Sequence, residues 1–199
     1  WVTIDSSEVV HGLFSMKGPV DSVMMVTLYM DDEGIMPLIL EDGRIEIIIS
    51  NSQLSAKGTL LNNALYEFIE KRNAMEVEMG ELERKEARMV LDGANLEDVH
   101  EQLAKEEETL AKEMNDYVKD FIIENYENVL GPGVFMMMCS ILPYPIMTPQ
   151  IEDIMRTAPL IFKENAFVKD FLSKAKQNMQ LLEEHKRLQQ SSETTAMQH

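Results

Sequence analysis

Two apolar stripes in the middle of the chain constrain its fold more than any other feature. Hydrophobic side chains recur in each at steps of three and four residues, the period of a two-helix coiled seam. The spacing predicts two antiparallel helices of about 30 residues, each roughly 45 Å long. The first stripe is Leu61, Leu65, Phe68, Met75, Met79, Leu82 and Met89, and the second is Leu96, Val99, Leu103, Leu110, Met114, Tyr117 and Phe121.

The residues between the stripes carry the signals of a helix end followed by a helix start. Gly93 can adopt the left-handed conformation that ends a helix. Asn95 can cap the next helix, with Asp98 three residues further on in the position of a capping box. We therefore expect a helical hairpin over residues 60–128, with a tip that extends beyond the compact body.

Residues 1–59 contain short apolar runs separated by turn residues, which is typical of antiparallel strands. Asp42–Gly43 tolerates positive φ at both positions and predicts a type I′ turn between two of these strands. A second acidic turn, Asp31 to Gly34, lacks the spacing of a calcium loop and also predicts a hairpin turn. The predicted strands cover residues 2–5, 12–18, 23–29, 36–40 and 45–49.

The last third of the chain predicts short helices and then a long one. Thr148 followed by Pro149 is a helix start, and Pro159 ends that helix. A further apolar stripe predicts a terminal helix from Asn165 to about Leu188. The fold class is therefore α+β: a small N-terminal antiparallel β-sheet, as a half-sandwich or meander, a long helical hairpin and a C-terminal helical cluster. The predicted division is 1–59 for the sheet, 60–128 for the hairpin, 129–190 for the helices packing on the rest, and 191–199 for a flexible tail.

The charge of the chain excludes one large class of function. The net charge is −17, whereas nucleic-acid binding needs clustered Lys and Arg to neutralise phosphates. The same charge disfavours direct docking on anionic lipid. The negative charge is concentrated in the hairpin, where residues 60–128 carry 19 acids and 8 bases. No apolar run is long enough for a membrane-spanning helix.

The residue types that carry chemistry are sparse and unpaired. His11, His100, His185 and His199 include no pair four residues apart, and no HExxH motif occurs. Cys139 is the one thiol, so the chain has no intrachain disulfide, Cys-based zinc site or CxxC pair. Its apolar neighbours predict a buried thiol with a raised pKa.

Other patterns that resemble functional motifs lack essential parts. Gly131–Pro132–Gly133 has neither the third glycine of a dinucleotide loop nor the Lys of a phosphate loop, and it predicts a helix start. The carboxylates of Glu106 to Glu108 point in different directions on a helix and predict a solvated face. We therefore predict no catalytic, cofactor-binding or metal-binding residues, and a protein that is not an enzyme.

Methionine is unusually frequent, with 16 residues. Methionine fills irregular gaps in cores and also makes adaptable binding surfaces. Most of these residues lie at apolar positions of predicted helices and strands, so core packing is the leading interpretation. The alternative is a partner-binding surface made of Met136, Met137, Met138, Tyr144 and Met147.

The order of several short motifs resembles a known family. The chain resembles the uncharacterised domain that precedes a thioredoxin-like domain in envelope lipoproteins of anaerobic gut bacteria, over roughly residues 1–188. The resemblance implies a small sheet followed by a helical region, an extracytoplasmic location in the periplasm or outer envelope, and a lipid anchor upstream of Trp1. The motifs are Asp5-Ser6, Gly12-x-Phe14, Gly18, Leu40-Glu41-x-Gly43-x-Ile45, Gly58-Thr59-x-Leu61-Asn62, and Phe121-Ile122-x-Glu124-Asn125 leading to Asn128 and Gly131.

The chain also departs from that family. Asn125 is followed by Tyr126 where the family often has Asn-Pro, and no CxxC occurs, so no redox activity or catalytic residue carries over. The leading hypothesis is a non-catalytic, envelope-associated module that binds an unidentified protein partner. The alternative is an accessory N-terminal domain of a thiol–disulfide system, with a thioredoxin-like protein as the partner. The apolar stripes also allow a homo-oligomer through the hairpin.

Overall fold

The chain forms two β-hairpins and then six helices within the part that the structure describes. The computed structural model describes residues 2–196, and within that range all side chains other than those of Glu83, Lys186 and residues 188–196. The α+β fold class predicted from the sequence is confirmed. The elements are β1 (Met24–Met30), β2 (Glu33–Leu40), β3 (Glu46–Ile49), β4 (Leu54–Lys57), α1 (Leu60–Leu91), α2 (Leu96–Glu124), α3 (Leu130–Cys139), α4 (Pro149–Thr157), α5 (Leu160–Lys163) and α6 (Ala166–Ala196).

The first hairpin joins β1 and β2 through a two-residue turn. The register runs from Met24 opposite Leu40 to Met30 opposite Glu33, with an irregularity after Leu28. Asp31 and Asp32 have φ values of 51° and 65°. Positive φ at both central residues is the signature of a type I′ turn. The predicted hairpin turn at this acidic segment is therefore confirmed.

The predicted hairpin turn at Asp42–Gly43 is wrong. β2 pairs only with β1, and β3 pairs with β4, so the sheet region is two separate pairs of strands. Asp42–Gly43 connects one pair to the other. The reason lies in α1, whose side chains occupy the edge of β2 that a third strand would need: Asn62 bonds Ile39 and Tyr66 bonds Pro37.

The two predicted strands nearest the start of the chain are also wrong. Residues 2–5 and 12–18 have no regular ladder. Their nearest approach to one is an isolated antiparallel bridge between Val10 and Leu13. Alternating apolar residues make a strand only where a neighbouring strand can take up the backbone hydrogen bonds. Among the described residues, none supplies that neighbour for these segments.

The helical hairpin forms as predicted. Gly93 has φ of 88° and ends α1 in the left-handed conformation. The Asn95 side chain accepts a hydrogen bond from the Glu97 N–H at 2.8 Å, so it caps α2. Glu97 and Asp98 lie in the first turn, where their negative charges interact favourably with the positive end of the helix dipole.

The base of the hairpin belongs to the protein core. Phe68 of α1 stacks against Tyr117 and Phe121 of α2, with ring centroids 5.4 and 4.3 Å apart. The same core takes in β2, α3, α4 and α6. Of the described residues, 70–116 contribute none to this cluster. The half of the hairpin nearer the turn is held by its own apolar seam, in which Val99 and Leu103 are buried.

The C-terminal helices pack beside the hairpin base. The Thr148 side chain caps α4 by accepting from the Ile151 N–H, as predicted. α6 begins at Ala166 and continues to Ala196, beyond the predicted end near Leu188, because residues 189–196 contain neither Gly nor Pro. The remaining tail residues 197–199 lie outside the described range. Among the described helices, none is long and apolar enough to cross a bilayer.

Candidate functional site

The five residues predicted as a partner-binding surface do not share one exposed face. Met136, Met137 and Met138 are consecutive in α3, so their side chains leave the helix about 100° apart. Met136, Met138 and Met147 are partly buried against the core. Tyr144, in the segment after α3, is 46% exposed. The structure thus places Met136, Met138 and Met147 against the core, leaves Met137 partly buried and puts Tyr144 at the surface.

A cavity of about 200 Å³ lies beside Met136, between α3 and α6. Lys174 Nζ donates to Asp170 Oδ2 at 2.7 Å, so the two ionic side chains that line the cavity are already paired. The rest of the lining is mostly apolar. The lining residues are Met136, Cys139, Ser140, Leu142, Pro145, Asp170, Phe171 and Lys174.

The Cys139 thiol lies at this cavity but is only 5% exposed. Burial raises the pKa of the thiol to about 12. A thiol with this pKa is protonated at neutral pH, whereas the thiolate is the nucleophile and the metal ligand. The prediction of a buried thiol with a raised pKa is confirmed.

The histidines lie on separate elements. His11 sits in the turn between Val10 and Leu13 and is exposed. His100 Nε2 is 2.6 Å from Glu86 Oε1 on the other arm of the hairpin. His185 is exposed on α6, and His199 lies outside the described residues. Among the residues whose side chains the structure describes, no group of three or more His, Cys, Asp or Glu is placed to hold a metal ion.

Charged residues in the half of the hairpin nearer the turn pair across its two arms. Lys85 Nζ donates to both carboxylate oxygens of Glu106, at 2.9 and 2.6 Å. Gln102 Nε2 adds a third hydrogen bond at 3.0 Å. The bond from Lys85, and then that from Gln102, lowers the pKa of Glu106 below its ordinary value. Glu107 and Glu108 are exposed, as the prediction of a solvated face requires.

The family-like motif residues in the first part of the chain form a polar junction between β2 and α1. Glu41 Oε1 accepts from the N–H groups of Leu61 and Asn62, at 2.9 and 3.1 Å, so a side chain from outside the helix caps it. Asn62 is fully buried. Its Nδ2 donates to the Ile39 carbonyl at 2.7 Å and to Thr59 Oγ1 at 2.9 Å. These polar groups satisfy one another and stabilise the fold.

The motif residues after α2 have a similar structural role. Asn125 Nδ2 donates to the Phe121 carbonyl at 2.8 Å. Asn128 Oδ1 accepts from the Leu130 N–H at 2.8 Å and so helps to start α3. Gly131 follows within the first turn of α3 and is buried. The predicted helix start at this glycine is confirmed.

The two edges of the first hairpin are treated differently. Both backbone groups of Ile39 bond Asn62, so Ile39 directs them away from β1. In an antiparallel pair, two residues that stand opposite each other either both direct their N–H and C=O toward the other strand or both direct them away from it. Met25 stands opposite Ile39 and Thr27 opposite Pro37, so Met25 and Thr27 direct their N–H and C=O away from β2. We call these backbone groups the β1 outer edge.

The β1 outer edge has no hydrogen-bond partner among the backbone and side-chain groups that the structure describes. The opposite edge, on β2, is covered: Asn62 bonds Ile39, and the Tyr66 hydroxyl donates to the Pro37 carbonyl at 2.9 Å. Sequence reasoning missed this difference. Its signal was a run of uncharged residues in β1 beside a β2 that contains a proline.

The accessible surface of the chain is large for its mass. It measures 14463 Å², whereas a compact protein of this mass exposes about 9,600 Å². Exposed apolar side chains are numerous in the N-terminal part. Those of residues 2–30 are Val2, Ile4, Val9, Val10, Leu13, Met16, Val23, Met24, Tyr29 and Met30.

Comparison with known proteins identifies one part of the chain. Residues 1–65 match the family described as domain of unknown function DUF4369. No curated protein and no solved structure matches the chain. The DUF4369 match ends at Leu65, inside α1, so it contains both β-hairpins and the whole Glu41–Asn62 junction. The resemblance to an uncharacterised domain is thus confirmed for this part, and the helices beyond Leu65 lie outside the match.

Proposed function

We propose that the protein is a non-catalytic binding module of the cell envelope whose ligand is another protein. The observation that carries the proposal is the run of exposed apolar side chains over residues 2–30. Exposed apolar side chains grouped in one part of a chain are typical of a surface that a partner covers. The N-terminal part, which holds both the DUF4369 match and a long run of exposed apolar side chains, supplies the contact.

The charge of the chain selects among the classes of partner. A net charge of −17 repels nucleic acids and anionic lipid surfaces. A protein with basic residues around an apolar contact is the complementary ligand. The interaction then has a rate of association that falls as the salt concentration rises.

The envelope location rests on the family resemblance. The resembling proteins are lipoproteins, so the proposal includes a lipid anchor on a cysteine upstream of Trp1. Intact mass spectrometry of the native protein from fractionated cells tests it. A diacylated or triacylated species in the membrane fraction is the expected result, and an unlipidated species in the cytoplasm would contradict it.

A capture experiment tests the binding function itself. The pure protein is immobilised and exposed to solubilised envelope fractions at two salt concentrations. The control bait is an unrelated protein of equal net charge, which reports purely electrostatic capture. Saturable retention of one protein on the first bait alone is the expected result. Equal retention on both baits, or none, would contradict the proposal.

The second candidate function is an accessory domain of a thiol–disulfide system. The family resemblance of the sequence favours it, since the domain that the chain resembles precedes a thioredoxin-like one. The buried Cys139 takes no part in this proposal, which concerns substrate delivery. Adding the protein to a thioredoxin-like reductase is expected to change its rate on a protein disulfide. An unchanged rate over a tenfold excess of the protein would contradict it.

We also propose that two copies of the chain can associate through the helical hairpin. Val77, Val90, Leu91 and Leu96 are exposed apolar residues on its arms and tip. Light scattering over a range of concentrations tests it, because a second copy covering these residues doubles the mass. A constant monomer mass would contradict it.

A further inference from the structure

We propose that the β1 outer edge binds an extended segment of the partner protein as an added β-strand, and that this segment has an uncharged centre between Lys or Arg residues. The inference rests on the proposed binding function and names its surface. β1 provides seven residues, Met24 to Met30, for such pairing. The added strand bonds the backbone groups of Met25 and Thr27, which face away from β2.

The first support is that the β1 outer edge has no charged side chain, no proline and no described covering strand, and that its register with β2 is regular from Met24 to Leu28. Folded proteins protect such edges with charged side chains, proline, short strands or a covering element. The seven residues of β1 include no charged residue and no proline. Their backbone has no described partner on the outer side.

The second support comes from the other edges of the same region. β2 contains Pro37, and α1 covers its outer side through Asn62 and Tyr66. β3 has only four residues, and one of them is Glu46. The outer side of β2 is thus covered and β3 is short, whereas the seven-residue outer edge of β1 is available.

The third support is the charge around β1, which selects the occupant. Asp21 precedes the strand, and Asp31, Asp32 and Glu33 follow it. A second copy of β1 in antiparallel register would bring Asp21 next to the acids after the partner's strand, and like charges across strands are destabilising. Lys or Arg residues at both ends of an incoming strand would instead pair with these carboxylates.

The test uses the chain and a synthetic peptide probe with the composition Lys-Lys, then alternating Thr and Val over seven positions, then Lys-Lys. Hydrogen exchange of the free protein is compared with that of the mixture, amide by amide, by NMR. The expected result is slower exchange at Met25 and Thr27 in the mixture. Two control peptides have the same sequence. In the first, N-methyl groups replace the N–H hydrogens on one side of the extended peptide, and in the second they replace those on the other side. We expect one of the two N-methylated peptides to bind at least about tenfold more weakly than the unmethylated peptide, because each lost hydrogen bond between strands weakens binding by about two- to tenfold.

Three results would overturn the proposal. The first is equal binding of all three peptides, which would mean attraction of the lysines alone. The second is no change at Met25 and Thr27 with the unmethylated peptide at millimolar concentration. The third is slow exchange at these two amides before any peptide is added, since the edge would then be occupied by this chain itself or by a second copy.

A protein variant separates this inference from the binding function. Thr27→Pro removes an N–H that faces away from β2, and so keeps the ladder to β2 intact. We expect it to weaken probe binding by about tenfold or more. Exchange at the β1–β2 ladder amides confirms that the variant is folded, and the N-methyl peptides give the same comparison without any variant. If Thr27→Pro bait still captures the envelope partner, strand addition is wrong while the binding function stands.

Discussion

Asn62 occupies the place of a neighbouring strand for Ile39. The Ile39 N–H donates to Asn62 Oδ1 at 2.9 Å, and Asn62 Nδ2 donates to the Ile39 carbonyl at 2.7 Å. Both residues are fully buried. The carboxamide of Asn62 thus satisfies both outward backbone groups of Ile39 in β2, and it holds the first turn of α1 against the sheet.

The first prediction concerns the loss of this pair. Asn62→Ala leaves two backbone groups of Ile39 buried without partners, and each such group costs about 1–3 kcal/mol. We expect the free energy of unfolding to fall by about 3 kcal/mol. The midpoint of urea denaturation measures it. Asn73→Ala is the matched control, because Asn73 is an exposed residue of the same helix. Equal midpoints for the two variants would contradict the prediction.

The second prediction separates backbone strain from steric contact. Gly58 and Gly93 both have positive φ, of 108° and 88°. A Cβ on Gly58 would lie 2.4 Å from the Arg44 carbonyl oxygen, whereas a Cβ on Gly93 would meet nothing within 4 Å. Gly93→Ala is expected to cost about 1 kcal/mol. Gly58→Ala should cost at least about 2 kcal/mol more, because the backbone must shift as well.

Urea denaturation of both glycine variants provides the measurement. Equal destabilisation would mean that the positive φ accounts for the whole effect. Gly58 follows β4 directly and precedes α1, so the larger loss would also show that this close approach fixes the helix against the strands.

The helical hairpin shows what the sequence can predict and why. Its stripes, Gly93 and Asn95 are local signals, and helix formation depends on residues three and four apart. The strand pairing was predicted less well because it depends on distant residues. Asp42–Gly43 has the composition of a hairpin turn, but the Asn62 side chain, twenty residues further on, takes the edge of β2 that this turn would have used.

The methionine-rich segment illustrates a second limit. Composition alone suggested one surface for Met136, Met137 and Met138. In α3 the helical period distributes them around the axis, so the outcome for each depends on which neighbours lie beside it. Met136 faces the cavity with Phe171 and Lys174 of α6, a helix that lies more than thirty residues away in the sequence. No local pattern reports such a neighbour.

The third prediction concerns the Cys139 thiol. Burial raises its pKa from 9.0 to about 12, so the folded protein keeps the proton that the unfolded chain loses above pH 9. The contribution of the buried thiol to the free energy of unfolding is therefore complete below pH 9. It is lost as the pH rises toward 12, at up to about 1.4 kcal/mol per pH unit. Urea titrations between pH 8 and pH 11 measure the loss. Cys139→Ala should show a shallower decline.

Tyr66 contributes to the same titration and must be separated from Cys139. Burial raises the pKa of its hydroxyl from 10.0 to about 12, so its effect begins one pH unit higher. The free energies of unfolding of the protein and of Cys139→Ala are therefore expected to begin to change differently with pH between pH 9 and pH 10. Identical pH profiles for the two would contradict the burial of the thiol. Slow reaction with a water-soluble thiol reagent at pH 8, accelerated by urea, is the independent check.

The last prediction concerns how unevenly the hairpin is stabilised. Phe68 is buried between Tyr117 and Phe121, so Phe68→Ala should cost about 3–5 kcal/mol. Lys85→Ala removes a partly exposed pair with Glu106 in the half nearer the turn, and we expect the urea midpoint to change by less than the equivalent of about 1 kcal/mol. Amide exchange should then divide the hairpin: amides near Phe68 open only with global unfolding, whereas those around Lys85 open locally. Equal protection in both halves would contradict this division, and would mean that the apolar seam around Val99 and Leu103 is as stable as the core.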